Sequence, residues 1–136
     1  MRKFFLGIII LITLITAFIA FMFYHEQSSG ELVGRSVALE WATEAVGHCA
    51  GELLVTSIDR HGTGLSFDIE LYQALAEVVD VPVIAFGGAG NIQHFVDLFT
   101  KTNVTGALVG ALLHNKVLTI KDIKKALYKS GVVVRQ

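Results

Sequence analysis

Thr56-Ser57-Ile58-Asp59-Arg60-His61-Gly62-Thr63 places three hydroxyls, a carboxylate, a guanidinium and an imidazole directly after the apolar run Leu53-Leu54-Val55. An apolar strand that turns abruptly polar and then glycine-rich is where α/β proteins place their chemistry. Two further stretches repeat the pattern. Pro82-Val83-Ile84-Ala85-Phe86 enters Gly87-Gly88-Ala89-Gly90, and Gly106-Ala107-Leu108-Val109 enters Gly110-Ala111. Glycines after a parallel strand let backbone N–H groups approach an anion closely, and a following helix adds partial positive charge at its first turn. The three endings together point to one phosphate site. Asp59 could pair with Arg60, or could orient or protonate a ligand, and Arg60 suits a carboxylate or phosphate. Without a second carboxylate at known distance, no acid–base pair is assigned. Thr56 and Ile58 share one side of the strand, Ser57 and Asp59 the other. His94 and His114 read as helix-surface and packing residues. No histidine spacing suggests a metal, and no cofactor is expected. The single cysteine, Cys49, excludes an internal disulfide and a Cys-based zinc site, and reads as a buried or half-buried helix residue.

The elements that must hold these endings follow from periodicity. Val37 to His48 reads as a helix, with Val37, Trp41, Ala42, Ala45 and Val46 on one face and Gly47 and Gly51 bracketing its end. The first strand is about Glu52 to Ile58, and its unbroken apolar run suits burial on both faces. Asp68 to Val79 is a helix with Ser66 or Asp68 as cap. Pro82 opens the second strand. Asn91 caps a third helix with Ile92, Phe95, Val96 and Phe99 as its stripe. The third strand is about Gly106 to Leu112. The last helix opens on a capping-box-like Thr119-Ile120-Lys121-Asp122, carries Ile120, Ile123 and Leu127 inward, and stops at Gly131. Equivalent positions Leu54, Val83 and Leu108 are 29 and 25 residues apart, which are βα-unit spacings. Three parallel strands leave two unpaired edges, so self-association through open sheet edges is expected.

Ahead of this domain, Phe4 to Tyr24 is 21 residues without a charge, preceded by Arg2 and Lys3. At ~1.5 Å per residue such a run spans a bilayer core, so residues 1–24 are expected to be a single-pass membrane anchor. Residues 25–34 read as a polar linker and 35–136 as the folded domain. The positive-inside rule places the domain outside the cytoplasm. Beyond Arg2 and Lys3 the chain carries 9 basic and 12 acidic residues, which gives no general argument for nucleic acid.

The segment Gly51 to Thr63, the segment Pro82 to Gly90 with His94-Phe95 after it, and Gly131-Val132-Val133-Val134-Arg135 closely resemble the cyclase subunit of imidazole glycerol phosphate synthase. The match runs from about Ser36 to Gln136. The resemblance implies strands six to eight of a (β/α)₈ barrel in histidine biosynthesis. That cytoplasmic lyase takes ammonia from a glutaminase subunit. It converts a phosphoribulosyl aminoimidazole-carboxamide nucleotide to imidazole glycerol phosphate and aminoimidazole carboxamide ribonucleotide. It further implies that His61, Gly62, Gly87, Gly88, Gly110 and Ala111 grip one substrate phosphate, with Thr56 and Asp59 near the barrel mouth. The family usually has Asp at position 61, Ser at 86 and Ala-Ser at 110–111. Its two catalytic aspartates, at the ends of strands one and five, have no counterpart here, so no catalytic residue is assigned and no cyclase activity is expected from this chain alone. Two alternatives remain open: a non-catalytic membrane-anchored remnant, and a paralogue supplying ammonia for sugar amidation in polysaccharide synthesis.

Overall fold

The structure, a computed structural model, describes residues 34–135. The expected anchor over 4–24 and residues 25–33 of the expected linker lie outside the described residues. Among the described residues no helix is long and apolar enough to cross a membrane. Leu39–Gln136 forms one compact unit; of the other, Met1–Ala38, the described residues 34–38 are helical.

Helix α1 covers residues 34–47. There follow β1 (Leu53–Thr56), α2 (Ile69–Val78), β2 (Val83–Phe86), α3 (Ile92–Lys101), β3 (Gly106–Leu108), α4 (Ala111–His114) and α5 (Ile120–Lys129). The strands are parallel, in the order β1-β2-β3. Helix starts follow local chemistry. Asp68 caps α2 by accepting from the Leu71 N–H, and Asn91 caps α3 by accepting from the His94 N–H. Thr119 and Asp122 make the reciprocal capping box of α5. Hydrogen bonds from the Thr119 side chain and backbone hold the Asp122 carboxyl below its usual range.

Helix ends are less regular. Gly131 (φ 80°) closes α5, with Val132 N–H donating to Leu127 O and Gly131 N–H to Tyr128 O. The same bond pattern closes α1, but its left-handed residue is Cys49 (φ 69°), not a flanking glycine. Cys49 is therefore an exposed cap residue rather than a buried helix residue, and it carries strain on the order of 1 kcal/mol that glycine would not. The third strand stops at Leu108, short of the expected Leu112. Gly110 takes up the right-handed helical region there and starts the short α4.

The two faces of the sheet differ. Val83, Ala85 and Ser57 are buried beneath the helices. The core there is Phe67, Leu71, Tyr72, Leu75, Phe95, Leu98, Ile123 and Leu127, with Phe67 and Phe95 edge to face at 5.3 Å. In register on the opposite face stand Leu54, Ile84 and Gly106, then Thr56, Phe86 and Leu108. Leu54 is 55% exposed and Leu108 39% exposed. Burial of the Leu53-Leu54-Val55 run is thus one-sided, because no described element covers that second face. Trp41 and Ile120, expected to pack inward, are exposed as well.

Candidate functional site

At the C-terminal ends of β1, β2 and β3 lies an open cavity of about 460 Å³. His61, Gly62, Gly87, Gly88, Gly110 and Ala111 all line it, so the six residues singled out in the sequence come together. Thr56 and Asp59 do not. Thr56 is exposed on the open face beside Phe86, and Asp59 is exposed in the turn that follows β1. That turn forms because β1 ends at Thr56 and the chain folds back, with the His61 N–H donating to Ser57 O. Asp59 and Arg60 form no ion pair among the described residues.

The glycines of Gly87-Gly88-Ala89-Gly90 are required by the chain's own packing. A Cβ on Gly88 would lie 2.0 Å from Ser66 O, and one on Gly90 would lie 2.0 Å from Gly64 O. Gly87 and Gly88 also hold φ of 103° and 93°. Loop 62–66 is drawn down onto this turn, and the Ser66 N–H bonds Gly88 O at 2.8 Å. The N–H groups of the turn then divide by partner. Gly90 donates to His94 Nδ1 at 3.1 Å and is withdrawn from the cavity. Gly62, Gly88 and Ala89 donate to no backbone carbonyl among the described residues. Such groups in a concave site bind an anion. No carboxylate lines the cavity, which suits the same charge. Among the described residues no group of three or more His, Cys, Asp or Glu could hold a metal ion.

Behind the cavity, Ser57 is buried and donates to Asp68 Oδ2, so the end of β1 is tied to the residue that caps α2. Tyr72 sits 1% exposed beneath the same strand ends. Its hydroxyl accepts the Phe86 N–H and lies 3.0 Å from Val55 O and 3.1 Å from Phe86 O. Burial pushes its phenol up to about 12; the bond to the Phe86 backbone opposes that, and the Asp68 charge adds to it. Helical periodicity marks Tyr72 only as a core position, and nothing in the spacing announces that its hydroxyl reaches the sheet. His94 also does more than cover a surface, but its partner four residues earlier follows from the loop geometry alone. Phe86, Leu108, Val109 and Leu112 are the large apolar residues of the lining, and the Phe86 ring meets the His61 ring edge to face at 5.0 Å and 81°.

Residues 26–119 match a family model described as "Histidine biosynthesis protein". The "Imidazole glycerol phosphate synthase subunit HisF" of Lactiplantibacillus plantarum is 58% identical over 98 residues, covering 72% of this chain and 39% of that protein. The protein of the same name from Leuconostoc mesenteroides is 49% identical over 98 residues, 72% of this chain and 39% of its own. That from Streptococcus mutans is 46% identical over 97 residues, 71% of this chain and 39% of its own. This chain spans about two-fifths of the length of these curated relatives.

Proposed function

The chain belongs to the histidine biosynthesis protein family, and from that membership we propose that it supplies the phosphate-gripping side of an imidazole glycerol phosphate synthase cyclase. The reading is that β1, β2 and β3 are the last three strands of a (β/α)₈ barrel, whose phosphate sites commonly lie in the final βα loops. Its substrate is the phosphoribulosyl aminoimidazole-carboxamide nucleotide, with ammonia delivered by a glutaminase subunit. His61, Gly62, Gly87, Gly88, Gly110 and Ala111 contact one phosphate, and Thr56 and Asp59 stand toward the barrel mouth. The observation that carries this is the convergence of those six residues on one cavity in a chain 58% identical to a HisF subunit.

On this reading the uncovered sheet face is barrel interior, and β1 and β3 are edges awaiting neighbours. Covering Leu54 and Leu108 stabilises by roughly 1.5–3 kcal/mol for each side chain fully buried. The occupant is the set of βα units that the relatives carry and these three strands do not replace. Without them, the same edges favour self-association.

The test is cyclase turnover by the purified full-length chain in detergent, with ammonium as nitrogen source, alone and with a co-expressed polypeptide carrying the first five βα units. Imidazole glycerol phosphate is expected only from the mixture. Turnover by the chain alone would overturn the dependence on supplied aspartates. A stable mixture without turnover would overturn the cyclase reading and leave a non-catalytic remnant.

Residues 4–24 are proposed to anchor the domain to a membrane, on the strength of their uncharged length. The chain is then expected to stay in the membrane pellet through an alkaline carbonate wash, and release into the wash would remove the anchor.

A further inference from the structure

We propose that His61 is a side-chain hydrogen-bond donor to the bound phosphate, and that Phe86 is the positioning residue that sets its ring. The inference rests on the phosphate reading above and adds to the backbone cradle a group with its own geometry. His61 lines the cavity together with Gly62, Gly88 and Gly110. Its main chain is fixed twice: the N–H donates to Ser57 O at 2.9 Å and to Ile58 O at 3.2 Å. Its Cα packs so closely on the next turn that a Cβ on Gly87 would stand 3.5 Å away. The imidazole itself is exposed, and neither ring nitrogen bonds another described residue. An imidazole carries at least one N–H in either protonation state, so a donor is always present.

What limits the ring is Phe86. The two rings meet edge to face, 5.0 Å between centroids and 81° between planes. Phe86 is in turn held from behind, where its N–H donates to the buried Tyr72 hydroxyl. The donor is thus pre-set before a ligand arrives, which lowers the ordering cost of binding. No carboxylate lines the cavity to compete for the imidazole N–H. The ligand class follows: a phosphate monoester whose oxygens meet the Gly62, Gly88 and Ala89 N–H groups and His61 together, with its carbon part toward Phe86 and Leu108.

The experiment is a ³¹P NMR titration of the full-length chain in detergent with ribose 5-phosphate, with ribose as the control and a thermal melt on every variant. His61→Ala is expected to weaken ribose 5-phosphate binding about tenfold with an unchanged melt, as loss of one hydrogen bond to a charged group requires. Phe86→Leu keeps apolar bulk and loses the ring. It is expected to weaken binding about threefold, and in its background His61→Ala is expected to cost less than His61→Ala alone, because the two act as a unit. If the unsubstituted chain binds no ribose 5-phosphate, the phosphate reading fails and this inference with it. If it binds, and His61→Ala binds equally well, the reading stands and the role of His61 is overturned. If the two losses simply add, Phe86 is not a positioning residue.

Discussion

Gly88→Ala is expected to leave the domain unfolded or insoluble, a loss of about 4 kcal/mol or more against a typical total of roughly 5–15 kcal/mol. Two causes combine at this position. The backbone holds φ 93°, where an L side chain is strained. The added Cβ would also lie 2.0 Å from Ser66 O, 2.7 Å from Ser66 C and 3.0 Å from Arg60 Cβ. Two of those atoms are main chain, so no rotamer change relieves the contact. The loop cannot back away cheaply either, because the Ser66 N–H is bonded to Gly88 O. Gly110 provides the contrast. Nothing lies within 4 Å of a Cβ built there, and its φ is -116°. Gly110→Ala is expected to melt within a few degrees of the unsubstituted chain. Circular dichroism melts of the two variants side by side decide the matter. Equal melting temperatures would show that the close approach of loop 62–66 does not hold the turn.

That contrast also explains what was legible in the sequence. The glycine runs mark three strand ends, and the six expected residues there line one cavity. They did not tell which glycine answers to a ligand and which to the chain itself. Gly88 and Gly90 are demanded by Ser66 O and Gly64 O, atoms of a loop more than 20 residues earlier whose descent no local pattern encodes. The strands, the caps at Asp68 and Asn91 and the capping box at Thr119 were readable because each depends on neighbours a few residues away. Cys49 was misplaced because a left-handed helix end usually takes glycine, and two glycines stood nearby. Asp59 and Thr56 fell outside the cavity because β1 ends at Thr56, short of the expected Ile58, and the chain turns back at once. The bare sheet face is not legible in the sequence for a different reason. Leu53-Leu54-Val55 records that both faces of the strand are apolar, and whether an element exists to cover the second face is a property of the rest of the fold.

Tyr72→Phe should cost about 3 kcal/mol and should disturb the cavity without touching it. The hydroxyl accepts the Phe86 N–H at 3.1 Å, and its one hydrogen is shared between Val55 O at 3.0 Å and Phe86 O at 3.1 Å. Phenylalanine fills the same space, so no cavity term enters. What remains is the Phe86 N–H without its hydroxyl acceptor and Val55 O without the hydroxyl's hydrogen, beneath a residue 1% exposed, while Phe86 O keeps the Ser57 N–H at 3.1 Å; each buried group left unsatisfied costs about 1–3 kcal/mol. The alkaline limb separates this account from simple packing loss. Burial holds the Tyr72 phenol at about 12 instead of 10.0. The native state therefore keeps a proton that the unfolded chain loses, and stability tied to Tyr72 is whole below pH 10 and falls as pH rises from 10 toward 12. Each pH unit between the two ionisations is worth about 1.4 kcal/mol, so most of the advantage over the Tyr72→Phe variant disappears across that window. Urea melts of both proteins should differ by the full amount at pH 8 and converge near the upper end, with the lysines and other tyrosines common to both. A gap that stays constant with pH would mean the hydroxyl is not held protonated against the strands, and the tie between α2 and the Phe86 backbone would have to be abandoned.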